Sequence, residues 1–119
     1  MITHRGIKVL LKHGAIAHRG NIKRFQMGHP SRVAFKTWCA LILGDFNREE
    51  LLDHIYGDRE DGGPSMGVHQ LDVRFVQWAP EFKRMELELT RDKRGGTQYF
   101  RLVPTFSVAE TVSKILHVV

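Results

Sequence analysis

The sequence predicts an α+β fold, and three observations predict it. Short β-prone runs separated by turn signals fill the first 29 residues, stretches with helical spacing of apolar residues follow, and two alternating runs then close around a glycine-containing tip. A chain of 119 residues with 42% hydrophobic content can bury one core and has no room for a second. One domain over 1–119 is therefore expected, with N-terminal strands at 1–29, a core at 30–103 and a C-terminal helix at 104–119.

The N-terminal runs are Ile7 to Leu11, Ala15 to Ala17 and Ile22 to Gln26, divided by His13-Gly14, Gly20-Asn21 and Gly28. They read as a small antiparallel meander that must lean on the helices for a core, although Gly6 to Leu11 also reads as a helical start. The first helix runs from Pro30 and Ser31 to Leu43. Ala34, Phe35, Trp38, Cys39, Leu41 and Ile42 cover a wide apolar arc, and Gly44 suits the left-handed position that closes many helices. Trp38 at this spacing is a packing residue rather than a ligand-stacking ring.

The second helix has the clearest local grammar. Asn47 caps it, Glu50 can reach back as in a capping box, and Phe46 can pack on Leu51 as a hydrophobic staple. Leu51, Leu52, Ile55 and Tyr56 form its apolar face and Gly57 is a natural stop. The segment 58–64 holds three acids and two glycines but lacks the ligand alternation and closing Glu of a calcium loop, so it reads as a solvated connector. A third helix is expected at 65–79, capped by Ser65 and ended before Pro80. Val68, Leu71, Phe75 and Val76 form its apolar face, leaving His69, Gln70, Arg74 and Gln77 for the other. Residues 85–91 and 97–103 alternate around Asp92-Lys93-Arg94-Gly95-Gly96 as a hairpin with a basic tip. After Pro104 breaks the strand, Ser107 with Glu110 makes a second capping-box pattern, and Val108, Val112, Ile115 and Leu116 form an amphipathic stripe. No internal repeat or low-complexity tract interrupts this order.

Charge is segregated. Before Asp45 the chain has eight Lys or Arg and no acid; from Asp45 to Asp72 eight acids meet only Arg48 and Arg59; then Arg74, Lys83, Arg84, Arg91, Lys93, Arg94 and Arg101 restore a basic balance, for a net +5. Such a layout attracts a polyanion to one face. The single Cys39 excludes a disulfide framework and a Cys-based metal site. Seven scattered histidines show no metal-ligand spacing, Gly62-Gly63 lacks the Lys of a phosphate loop, and Glu49 and Glu50 point about 100° apart on a helix. No enzymatic activity, metal or cofactor is expected. Apolar runs fall short of a membrane span and no signal-peptide order is present, so a cytoplasmic, non-membrane protein is expected, bacterial or phage-encoded and associated with the nucleoid.

Helix, helix, loop, helix and hairpin in this order outline a winged helix-turn-helix, here with N-terminal antiparallel strands, a three-helix core, a C-terminal β-hairpin wing and an extra C-terminal helix. Phe46 to Gly57 (FNREELLDHIYG) resembles the second-helix signature of OmpR/PhoB-type winged-helix transcription factors. Val68, His69, Val73 and Arg74 match the spacing of that family's recognition-helix pattern, and Tyr99, Arg101 and Leu102 resemble its closing motif. The resemblance covers roughly residues 30–103, and a stand-alone domain without a receiver domain is expected. It departs in having Leu71 and Asp72 between the His and the Arg, and in lacking Gly before Tyr99.

What the resemblance implies is a transcriptional regulator of double-stranded DNA, with His69 and Arg74 as DNA contacts and Arg101 on a wing strand near the backbone. The polar face of helix 65–79 adds Gln70 and Gln77, and the hairpin 85–103 adds Arg91, Lys93 and Arg94 around its tip. The C-terminal stripe is expected either to seal the domain or to join two copies as a homodimer. The competing expectation is a winged-helix interaction module, an adaptor or inhibitor that binds RNA polymerase or another protein through its acidic face or C-terminal helix. An RNA-binding reading through Tyr99 and Phe100 finds no supporting motif order.

Overall fold

Alternating apolar and charged residues fold the start of the chain into an antiparallel meander of four strands, β1 (Ile2–His4), β2 (Ile7–Leu10), β3 (Ala15–His18) and β4 (Asn21–Arg24). The computed structural model describes residues 1–26, 31–56 and 68–105. β1 is absent from the sequence expectation because Ile2-Thr3-His4 carries a single apolar residue. Its place comes from pairing, with Ile2 opposite Val9 and His4 opposite Ile7. Leu11 leaves the strand to begin a 3-10 turn, Leu11–His13, and Phe25 falls past the end of β4, where it turns into the core. Both outer hairpins close on the same tripeptide, His4-Arg5-Gly6 and His18-Arg19-Gly20, with positive φ at the two central residues of each turn. The inner face of the sheet supplies Ile7, Val9 and Ile16 to the core.

Helix α1 (Ser31–Leu43) buries the expected arc, with Trp38 fully enclosed. The Trp38 ring touches Phe25, Trp78 and Phe82 at centroid distances of 5.4, 6.3 and 4.6 Å, so the centre of the core joins three parts of the chain. Gly44 does end the helix, its N–H donating to the Ala40 carbonyl at 2.8 Å. Its φ, however, is not positive. Glycine leaves room there for a side chain: a Cβ would lie 2.7 Å from Phe46 Cε2, so the ring would have to shift.

Phe46–Asn47 forms a two-residue strand, β5, before α2 (Arg48–Tyr56). The capping box is present in full, with Asn47 N–H donating to Glu50 Oε1 at 3.0 Å and Glu50 N–H donating to Asn47 Oδ1 at 2.8 Å. Ser65, Gly57, the connector 58–64 and the C-terminal stripe beyond Thr105 lie outside the described residues.

Helix α3 (Val68–Arg84) runs five residues past the expected stop at Ala79, with Pro80 inside it. Proline costs a helix interior about 3 kcal/mol. Carrying the helix onward buries Phe82 and delivers Met85 to the core, each worth roughly 1.5–3 kcal/mol. Pro80 is exposed, so the carbonyl it leaves unbonded can be hydrated. The longer helix also resets the apolar face. Leu71, Phe75, Trp78 and Phe82 are buried, whereas Val76 is 72% exposed and does not belong to the core.

The hairpin pairs β6 (Leu87–Arg94) with β7 (Thr97–Pro104), and β5 joins the far edge of β7 to give the order β5-β7-β6. Its turn is only Gly95-Gly96, both at positive φ, so the five-residue tip expected from sequence shrinks to two. Pro104 closes β7 opposite Leu87 and does not interrupt it. The architecture is thus α+β, with three helices and two antiparallel sheets among the described residues.

The first sheet is fastened to the α3–β6 junction. His18 Nδ1 lies 2.8 Å from the buried Met85 carbonyl, which can only accept, so Nδ1 carries the proton. Glu86, at φ +56°, sits in the left-handed region between α3 and β6. Its carboxylate receives Arg19 and Asn21, and its carbonyl accepts Thr105 N–H at 3.0 Å.

Candidate nucleic-acid interface

At 100° per residue, the buried stripe of α3 fixes where every other side chain of that helix points. Opposite the stripe lie Gln70, Val73, Gln77 and Pro80, all exposed, with Val76 beside them. Arg74 does not share that outward face. It turns to the flank beside β4, where it lines a cleft of about 380 Å³ with Lys23, Arg24, Phe25, Gln26 and Trp78. His69 belongs to the backbone of α3, and its side chain lies outside the described residues.

Two carboxylates project from α3, and each is met by a cation from another element. Asp72 receives Arg48 Nε at 2.9 Å, and Glu81 is bonded to Lys23. Arg48 is itself held by its guanidinium carbon lying 4.7 Å from the centre of the Phe100 ring. The outward face of the helix therefore carries no uncompensated negative charge.

The hairpin divides its cations by strand alternation. Leu87, Leu89, Arg91 and Lys93 share one face with Phe100 and Leu102, the face packed on α3 through the Phe75–Phe100 contact at 5.1 Å. Arg91 lies 5.8 Å from the Phe100 ring centre and borders the groove of about 570 Å³ that separates α3 from β6. Lys93 is exposed, with no hydrogen bond or ion pair among the described residues. Arg94 falls on the other face. It is bonded to Asp45, lies 3.2 Å from Asp92 and stacks 4.0 Å from the Tyr99 ring centre. The Asp45 hydrogen bond holds its guanidinium pKa above the ordinary value. Arg101 occupies that same outer face, half-buried, with Nε enclosed and unpartnered among the described residues.

The structure thus puts Gln70 and Gln77 on the exposed side of α3, Arg91 on the groove at its border, Lys93 farther along the same hairpin face and Arg74 at the flank, and sets Arg94 and Arg101 apart. Sequence reasoning did not place Val73, Val76, Lys83 or Arg84 in the site: Val73 and Val76 lie on the outward face of α3, Lys83 borders the groove beside β6, and Arg84 reaches the Ile22 carbonyl. The spacing Leu71, Phe75, Trp78, Phe82 would have placed Val76 outward. Ending the helix at Pro80 removed Phe82 from that pattern. No group of three metal-ligating side chains occurs among the described residues, and burial pushes the Cys39 thiol up to about 12, away from reactivity. No helix among them is long and apolar enough to cross a membrane. Comparison with protein-family models, curated proteins and solved structures returns no match for this chain.

Proposed function

We propose that the chain is a sequence-specific double-stranded DNA-binding protein, a small transcriptional regulator of winged-helix type, with α3 in the major groove and the β6–β7 hairpin as its wing. One observation carries the reading. The exposed face of α3 is free of uncompensated carboxylate and is bracketed by cations, Arg74 and Lys83 on the helix and Arg91 and Lys93 on the adjoining hairpin. A helix so presented meets phosphates at its margins and base edges at its centre. The resemblance of FNREELLDHIYG and of the α3 spacing to OmpR/PhoB-type domains supports the same reading.

Titration of the full chain against labelled duplex DNA at several salt concentrations tests it. Binding should weaken steeply with salt, and Arg74→Ala should weaken it further, by roughly 1–3 kcal/mol. A shallow salt dependence, or no difference between Arg74→Ala and the parent, would refute the proposal. A protein-interaction module is the second reading, favoured by the groove of about 360 Å³ bordered by Ile2, Leu11, Leu43 and Phe46 on the side of the first sheet. A protein partner captured independently of DNA, and lost in Leu11→Asp, would favour it.

A further inference from the structure

We infer that α3 is built to read A·T rather than G·C base pairs, an inference that rests on the DNA-binding reading and adds the class of sequence. The outward stripe of the helix offers two amides, Gln70 and Gln77, and two branched apolar side chains, Val73 and Val76, the latter 43% and 72% exposed. A side-chain amide presents one donor and one acceptor together, which matches the adenine N7 acceptor and N6 donor in the major groove. An exposed branched apolar group matches the thymine methyl.

Guanine is matched instead by a guanidinium or ammonium reaching O6 and N7. The cations of α3 are engaged away from the middle of the stripe: Arg74 faces the cleft beside β4, Lys83 borders the groove beside β6, and Arg84, two turns beyond Gln77 in the last turn of the helix, is directed to the Ile22 carbonyl at 3.4 Å. Asp72 and Glu81, which could have accepted from cytosine, are occupied by Arg48 and Lys23. With a rise of 1.5 Å per residue, Gln70 and Gln77 stand about 10 Å apart along the helix, roughly three base-pair steps. The reading surface therefore spans a short run of pairs with an amide at each end and methyl-seeking groups between. The cations at its margins supply the charge complement to the two phosphate backbones.

The test selects bound sites from a pool of random duplexes with the full chain, then measures affinity for the best site after single replacements. Uracil in place of thymine removes only the methyl, and deazaadenine in place of adenine removes only the N7 acceptor. The selected site should hold a run of A·T pairs, and one of each replacement within it should weaken binding, by roughly 5- to 150-fold for the adenine contact. Gln77→Ala should lose sensitivity to deazaadenine at one position of the site and keep it at the position read by Gln70, and Val76→Ala should lose sensitivity to uracil at one thymine. Both side chains are exposed, so both variants keep the core. A G·C-rich selected site, or indifference to both replacements, overturns the inference while DNA binding stands. Salt-dependent binding with no enriched sequence overturns it together with the sequence specificity of the proposed function, and leaves only DNA binding as such. Failure to bind any duplex at low salt removes the functional reading itself, and this inference with it.

Discussion

The hairpin gives the sharpest quantitative test, because its basic residues are alike in sequence and different in the fold. Arg91 and Lys93 share the face that packs on α3, whereas Arg94 is bonded to Asp45 and stacked on Tyr99. Each cation that neutralises a phosphate steepens the dependence of log affinity on log salt by about 0.9 for duplex DNA. Replacing Arg91 and Lys93 by Ala should therefore flatten the slope by about 1.8, whereas Arg94→Ala should leave it almost unchanged, because that charge is already partnered. Over a fourfold rise in salt, losing one contact amounts to roughly a three- to fourfold smaller drop in affinity. The structure also predicts a gain: Asp45→Asn removes the hydrogen-bonded partner of Arg94 and leaves it only Asp92, so the slope should steepen, by less than about 0.9. Fluorescence anisotropy with one duplex at a series of salt concentrations measures the parent and these variants, with Lys93→Ala alone as a fifth protein. Equal flattening by Arg94→Ala and by Lys93→Ala, or an unchanged slope in the double variant, would refute the assignment of faces.

Gly44→Ala places a Cβ 2.7 Å from the Phe46 ring and should destabilise the fold by about 1–3 kcal/mol in urea, with the loss largely relieved when Phe46 is also made smaller. Asn47→Ala removes the cap of α2 and should cost about 0.5–2 kcal/mol by the same assay; a loss below that range would mean that the capping box adds little. The Cys39 thiol keeps its proton in the folded state up to about 12 and ionises near its ordinary 9.0 once unfolded. The unfolded chain thus binds fewer protons in that window, and stability should fall as pH rises through it, by up to about 1.4 kcal/mol per unit. Cys39→Ala should lose that share of the slope, read as the difference between two pH series of urea melts.

The sequence alone determined the features that rest on local chemistry. Asn47 and Glu50 specify the start of α2 because a cap and its reciprocal carboxylate lie three residues apart and need no distant partner. The arc from Ala34 to Ile42 specifies α1, and the segregation of charge along the chain, basic before Asp45 and again in the hairpin, is read from the sequence directly. Tertiary structure decided whatever depends on a partner far along the chain. β1 exists because Val9 pairs with Ile2, and β5 exists because Tyr99 and Phe100 stand opposite Asn47 and Phe46. α3 crosses Pro80 because Trp38, about forty residues earlier in the chain, waits to receive Phe82, and local propensity cannot register that burial. The buried stripe that this extension completes leaves Val76 outward and Arg74 on the flank, so the candidate reading surface keeps Gln70 and Gln77 and adds Val73 and Val76. Arg94 and Lys93 are adjacent and equally basic in the sequence. Strand alternation sends them to opposite faces, and only there does one of them meet Asp45.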